Sequence, residues 1–231
     1  MKRGQERRVA YAFLLVVSIV GLVVSTDLLR NPPSFGAASS YRRGLTALVY
    51  DLVCVAGILA VLFPIACSRA VGGRFSSAEP PHVPGRRATR FLGLMVVHGH
   101  HPSGSRLTNH ELLVRGRSFC ATCYGLLTGA IVSMTIMTAF AVTGRPSWIG
   151  TYSAYLLYYV GVAMLITGLL QPLMIDVGAE ARFVLAFVFV AGTSLMLLAT
   201  ELLTANFVAD LFVVSLAVFW LLSRISLSHQ S

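Results

Sequence analysis

Charge is what this chain has least of. Only 12% of its 231 residues are Asp, Glu, Lys or Arg, against roughly 25% in ordinary soluble domains. Acids are the scarcer kind, nine against eighteen basic residues. The chain is 56% hydrophobic and the excess lies in long apolar runs, so the class is integral membrane protein, with the lipid bilayer as its surroundings. Lysine is nearly missing, with one against 17 arginines, a compositional bias that carries no mechanism. Four cysteines make no disulfide framework in so apolar a chain. Cys54 and Cys67 fall inside a hydrophobic run, where cysteine acts as a small apolar residue. There is no internal repeat and no low-complexity tract. A net charge of +9 would suggest nucleic acid in a soluble protein. Here basic loops on one side of a bilayer account for it, and nucleic acid is not an expected partner.

The runs predict an all-α, polytopic fold of about six transmembrane helices. Lys2, Arg3, Arg7 and Arg8 precede the run Val9 to Val24, read as a retained first helix, with a cleaved signal as the alternative. Asp27 to Arg43 is a loop broken by Asn31-Pro32-Pro33 and Ser39-Ser40. The second span, Leu45 to Cys67, carries Asp51, either an interfacial acid reaching headgroups or an intramembrane acid facing a cavity. The third runs from Tyr124 to Val142, closed by Gly144-Arg145-Pro146. The fourth runs from Tyr152 to Ile175, interrupted at Gln171-Pro172. The fifth covers Phe183 to Leu203 and the sixth Phe207 to Leu222, a hairpin joined through Thr204 to Asn206. Tyr152, Tyr155, Tyr158 and Tyr159 fit an interfacial aromatic belt and packing. Residues 1–67 thus hold two spans, 68–123 a linker and a Cys/His loop, 124–224 four spans, and 225–231 a tail.

The polar segment Ser68 to Phe119 starts as turn-rich linker (Gly72-Gly73, Pro80-Pro81, Pro84-Gly85). Arg86, Arg87 and Arg90 then precede Phe91 to Val97. Seven apolar residues cannot span a bilayer, so this piece is read as interfacial or re-entrant. With the N-terminus inside, fourteen of the eighteen basic residues fall on the inner side. The positive-inside rule then makes this segment and both termini cytoplasmic, in a cell membrane.

The dense chemistry lies where that segment meets the third span. His98, His100, His101 and His110 are followed by Cys120 and Cys123. Zinc takes four thiolate and imidazole ligands, commonly a C-x2-C knuckle plus a distant pair. Cys120, Cys123, His110 and His101 are the predicted ligands, with His100 next and His98 a spare. Their order, histidine before cysteine, is not the common finger order. A reducing cytoplasm keeps the pair as thiols, and a helix start lowers a thiol pKa. A second reading uses the same pair as a membrane thiol–disulfide oxidoreductase, although four histidines have no required part in that chemistry and no thioredoxin-type strand–helix pattern surrounds them. A third is a metal-dependent membrane hydrolase or transporter. The bland reading leaves the thiols incidental and the histidines in a polar loop. Haem attachment through C-x-x-C-H is excluded, because Tyr124 follows Cys123.

The run His100-His101-Pro102, His110, Gly116, Phe119-Cys120-Ala-Thr-Cys123-Tyr-Gly125-x-x-x-Gly129 resembles the membrane family filed as domain of unknown function 2085, in an archaeal-like variant. That family's core is similar to a histidine segment, an Arg-Ser-Phe element and Cys-Ala-Arg-Cys-x-Gly opening a helix. Here Arg117-Ser118-Phe119 abuts the cysteines, and Thr122 replaces the arginine. Pro172-Leu-Met-Ile-Asp176-Val-Gly178 followed by Arg182 is similar to its proline–aspartate–glycine and arginine element. The resemblance covers Val97 to Gly192 and implies a multi-span protein with no established activity. Asp176 and Arg182 are candidates to support the ligands, Asp176 by orienting a ligating histidine or as base on a metal-bound water. The plainer reading makes Asp176, Glu180 and Arg182 a solvated, charge-paired turn.

Overall fold

Backbone surrounded by lipid has no water to bond, and the α-helix satisfies it internally. In the computed structural model the described residues are 2–34, 41–62, 88–91, 94–97, 111–114, 117–147, 149–171 and 177–228. Among them the apolar runs form six helices: α1 (Lys2–Arg30), α2 (Arg42–Leu62), α3 (Ala121–Thr143), α4 (Thr151–Leu170), α5 (Ala179–Thr204) and α6 (Phe207–Ser228). Five are long and apolar enough to cross a membrane, and the apolar part of α6, Phe207–Ser223, is shorter. α1 continues past Asp27, where the sequence suggested a loop. Asn31 caps it, its backbone N–H donating to Asp27 O (2.8 Å) and its amide to Asp27 Oδ1 (3.0 Å). The helix stops before Pro32 and Pro33, which disfavour its continuation. α4 ends ahead of Pro172 for the same reason.

The helices agree with the all-α reading of the apolar runs. The polar segment adds two β-hairpins for which that reading had no place. β1 (Ala88–Phe91) pairs antiparallel with β2 (Leu94–Val97), Ala88 opposite Val97 and Phe91 opposite Leu94. β3 (Glu111–Val114) pairs with β4 (Arg117–Cys120), Glu111 opposite Cys120. Residues 91–97, expected as an interfacial or re-entrant piece, therefore lie largely in strands. Thr89, Val96 and Val97 are β-branched and favour that conformation.

The chain groups into two units. Met1–Val53, Ile136–Ala163 and Gly192–Ser231 form the first, and Cys54–Thr135 with Met164–Ala191 form the second. In the first, hydroxyls point inward and hydrocarbon outward. Ser18, Ser25, Thr46, Thr193 and Thr200 are buried, while Val9, Phe13, Val16, Ile19 and Leu48 are exposed. Water would make that pattern costly; lipid makes it the expected one. Trp220 on α6 is fully buried and donates from Nε1 to Ser18 Oγ on α1 (2.9 Å). Tyr158 on α4 is also buried and donates to Ser25 Oγ (2.9 Å). It is thus the packing kind of tyrosine in that group, whereas Tyr152 is 93% exposed. Gly161 lets α4 approach α5 closely, since a Cβ there would stand 2.8 Å from Gly192 O.

The α5–α6 connection is short and fully determined. Ala205 sits in the left-handed region (φ 47°), ending α5 with its N–H on Glu201 O (3.2 Å). Asn206 then caps α6, Oδ1 accepting from Val208 N (2.9 Å) and Ala209 N (3.3 Å), while Nδ2 donates to Pro33 O (2.8 Å). Asn206→Ala removes both functions and is expected to lower stability by about 1–2 kcal/mol, read by unfolding in detergent. Asn206→Asp, which keeps the cap oxygen, is expected to lose less.

In the second unit the packing of α3 on α5 relies on small residues at four-residue spacing. A Cβ on Gly125 would strike Phe183 O and stand 2.8 Å from Ala186 Cβ, and one on Gly129 would meet Phe187 O at 3.0 Å. Ser133, buried, continues the row with its hydroxyl 3.5 Å from Val190 O. This small-xxx-small stripe is how helices approach closely where no hydrophobic driving force acts between them. It explains the Gly125-x-x-x-Gly129 part of the motif as packing.

Candidate functional site

The second unit holds the cysteine turn. β4 ends at Cys120 and α3 begins at Ala121, so strand passes into helix with no intervening loop. Cys120 is buried, Cys123 half-buried in the first helical turn, and neither is disulfide-bonded. The Phe119 and Tyr124 rings pack edge to face across the junction, centroids 4.7 Å apart. Thr122, between the thiols, accepts a hydrogen bond from Gln171 Nε2 at the end of α4 (3.1 Å). The same nitrogen lies 3.4 Å from Arg182 O in the first turns of α5. Arg182 is turned back on its own helix start, with Nε donating to Val177 O (3.0 Å). Three helix ends are thereby tied around the thiol pair.

Of the predicted site residues, Cys120, Cys123 and Arg182 come together here. Arg182 is buried rather than part of a solvated turn, while Glu180 stands exposed in the first turn of α5. His98, His100, His101, His110 and Asp176 lie outside the described residues. Among the described residues no group of three or more His, Cys, Asp or Glu side chains could hold a metal ion. The thiols are the part of the expected ligand set that falls within them.

The first unit holds a constellation that the sequence reading missed. Arg42, the first residue of α2, clasps Glu201 of α5 with both terminal nitrogens, Nη1 to Oε2 and Nη2 to Oε1 (2.7 Å). Nη1 also reaches Asp210 Oδ2 of α6 (3.2 Å), and Thr46, one turn along α2, donates to that oxygen (3.2 Å). Arg43 stands outside, 39% exposed, its Nε 3.6 Å from Glu201 Oε1 and its guanidinium over the Phe140 ring (5.2 Å). Arg42, Glu201 and Asp210 are all buried, Asp210 completely. Asp210 Oδ1 and Arg42 Nε have no hydrogen-bond partner. One further turn along the buried face of α2, the Tyr50 hydroxyl meets Thr193 Oγ1 (3.0 Å).

Asp51 belongs to the same unit. It is nine residues into α2, a rise of ~14 Å from the helix start. Half-buried, it accepts from Thr138 of α3 at Oδ2 (2.8 Å), while Oδ1 is without a partner. A signal for the larger cluster was present in the sequence. Glu201 interrupts the apolar run Phe183 to Leu203 and Asp210 the run Phe207 to Leu222. Acids inside a span are rare and paired, which points to a basic partner elsewhere. Arg42, counted as a loop charge, is that partner. No protein-family model matches the chain, nor does any curated protein or solved structure.

Proposed function

We propose that this is a multi-pass membrane protein whose cytoplasmic polar loop is closed onto its helices by a zinc ion, held by Cys120, Cys123, His110 and His101, with His100 as the alternate. The observation that carries the reading is the β3–β4 register. Cys120 is paired opposite Glu111, and the residue before Glu111 in the sequence is His110. The donor set suits zinc: two thiols at a strand–helix junction held by neighbouring helix ends, with histidines upstream. When bound, the ion would supply a cross-link between the loop and the start of α3. Arg182, joined through Gln171 to the turn that carries the thiols, would offset the charge of the thiolates. In this reading α6 is a sixth crossing, both termini are cytoplasmic, and the motif from His100 to Gly129 relates the chain to the domain of unknown function 2085 family.

The test is elemental analysis of full-length protein purified in detergent without chelator, beside a Cys120→Ser, Cys123→Ser double variant and a His110→Ala variant. The expected result is stoichiometric zinc in the parent, background in the double variant and weakened retention in His110→Ala. Equal metal in parent and double variant sinks the proposal. A reversible Cys120–Cys123 disulfide in metal-free protein would favour thiol–disulfide chemistry instead.

A further inference from the structure

The first unit carries a second site, independent of the zinc reading. We propose that Glu201 and Asp210 bind one proton between them, so that the buried cluster is a proton site within the helices.

The geometry brings two carboxyl groups to a single guanidinium nitrogen, since Arg42 Nη1 donates to both Glu201 Oε2 and Asp210 Oδ2. Arg42, Glu201 and Asp210 are withdrawn from solvent, with side-chain exposures of 9%, 2% and 0%. Fully ionised, that buried trio bears one uncompensated negative charge. A second cation is present: Arg43, 39% exposed and lying over Phe140, brings a buried Nε to 3.6 Å from Glu201 Oε1, without a hydrogen bond. The exposed part of that guanidinium is screened by solvent, so it offsets less of the buried charge than Arg42 does. Around the pair, α2 presents Arg42, Arg43, Thr46 and, farther along, Tyr50. From α5 comes Glu201, from α6 Asp210 itself, and from α3 the uncharged Phe140. Among the described residues no other cation forms an ion pair with either acid.

An independent observation comes from the unpartnered atoms. Asp210 Oδ1 is fully buried and unbonded, and so are Arg42 Nε and Arg43 Nε in the same cluster. A bare carboxylate oxygen in a low-dielectric site is costly, and like charges sharing one partner add to that cost. A proton removes both penalties: one H⁺ from the aqueous phase joins a carboxylate oxygen, two negative charges become one, and the buried trio becomes neutral. It would enter from the Arg43 side, where the cluster meets the surface.

The experiment is infrared difference spectroscopy of the full chain in lipid nanodiscs, following the carbonyl stretch of a protonated carboxylic acid and its shift on deuteration. The parent is expected to show this band at neutral pH and to lose it reversibly on alkalinisation. Asp210→Asn and Glu201→Gln are each expected to abolish or shift it, while Asp51→Asn leaves it in place. A parent without a protonated-carboxyl band at neutral pH overturns the proposal. So does a band unmoved by Glu201→Gln and lost in Asp51→Asn. If Asp210→Asn fails to fold, the parent titration and Glu201→Gln still decide.

Discussion

Arg42→Ala is expected to destabilise the protein by about 3–5 kcal/mol, the range for breaking a buried ion pair by removing one partner. The variant leaves Glu201 and Asp210 buried with the half-exposed Arg43 as the remaining cation near them. It also cuts the hydrogen bonds that join α2 to both helices of the α5–α6 hairpin. Denaturant unfolding in detergent measures the loss. Removing the whole cluster should do far less damage. A triple variant, Arg42→Met, Glu201→Met, Asp210→Leu, is expected to recover most of the stability, because buried ion clusters replaced by hydrocarbon of similar volume are often neutral. A loss under ~1 kcal/mol for Arg42→Ala would refute the buried-pair account and mean that water reaches the cluster.

The second large effect is expected at Gly125. Its missing side chain is what lets the turn of α3 carrying Cys123 lie against the backbone of α5 at Phe183. A neighbouring carbonyl on a packed helix cannot rotate away as a flexible side chain can. Gly125→Ala is therefore expected to cost about 1–3 kcal/mol as overpacking, and Gly125→Leu more. Because the helix start moves with the seam, both variants should also raise the rate at which Cys120 and Cys123 react with a water-soluble thiol reagent. Gly44→Ala is the internal control: it lies in α2 with nothing within 4 Å of its Cβ position. There the gain in helix propensity, about 0.5–1 kcal/mol, should leave stability unchanged or raised. Equal losses at Gly125 and Gly44 would refute the close-packing account.

The two kinds of site differ in how far the sequence exposes them. The cysteine turn is legible because its residues are neighbours: a C-x2-C at the edge of an apolar run announces both the thiols and the start of the helix that carries them. Arg182 is legible only by analogy with a motif, and its link through Gln171 to the cysteine turn needs the fold, since more than sixty residues separate it from Cys120. The ion cluster is spread over Arg42, Glu201 and Asp210, on three helices, with no local pattern. Charge counting even misassigns Arg42, because an arginine at a helix start looks like a loop arginine until its carboxylate partners are known.

Composition and run length by themselves determined that the chain carries helices apolar enough to cross a bilayer, and roughly where they lie; the end of α1, beyond Asp27, needed the structure. Those outcomes depend on local physics: apolar residues partition into hydrocarbon, their backbone must then be helical, and proline ends the helix. Only the tertiary structure decided which face of α2 is buried, that Tyr158 is core rather than belt, and that residues 91–97 lie mostly in strands. The tertiary structure alone also shows two acids converging on one guanidinium. In a helix that is apolar on every side, hydrophobic periodicity cannot tell the lipid face from the packed face. The choice falls to hydroxyls, glycines and ion pairs whose partners are distant in the chain.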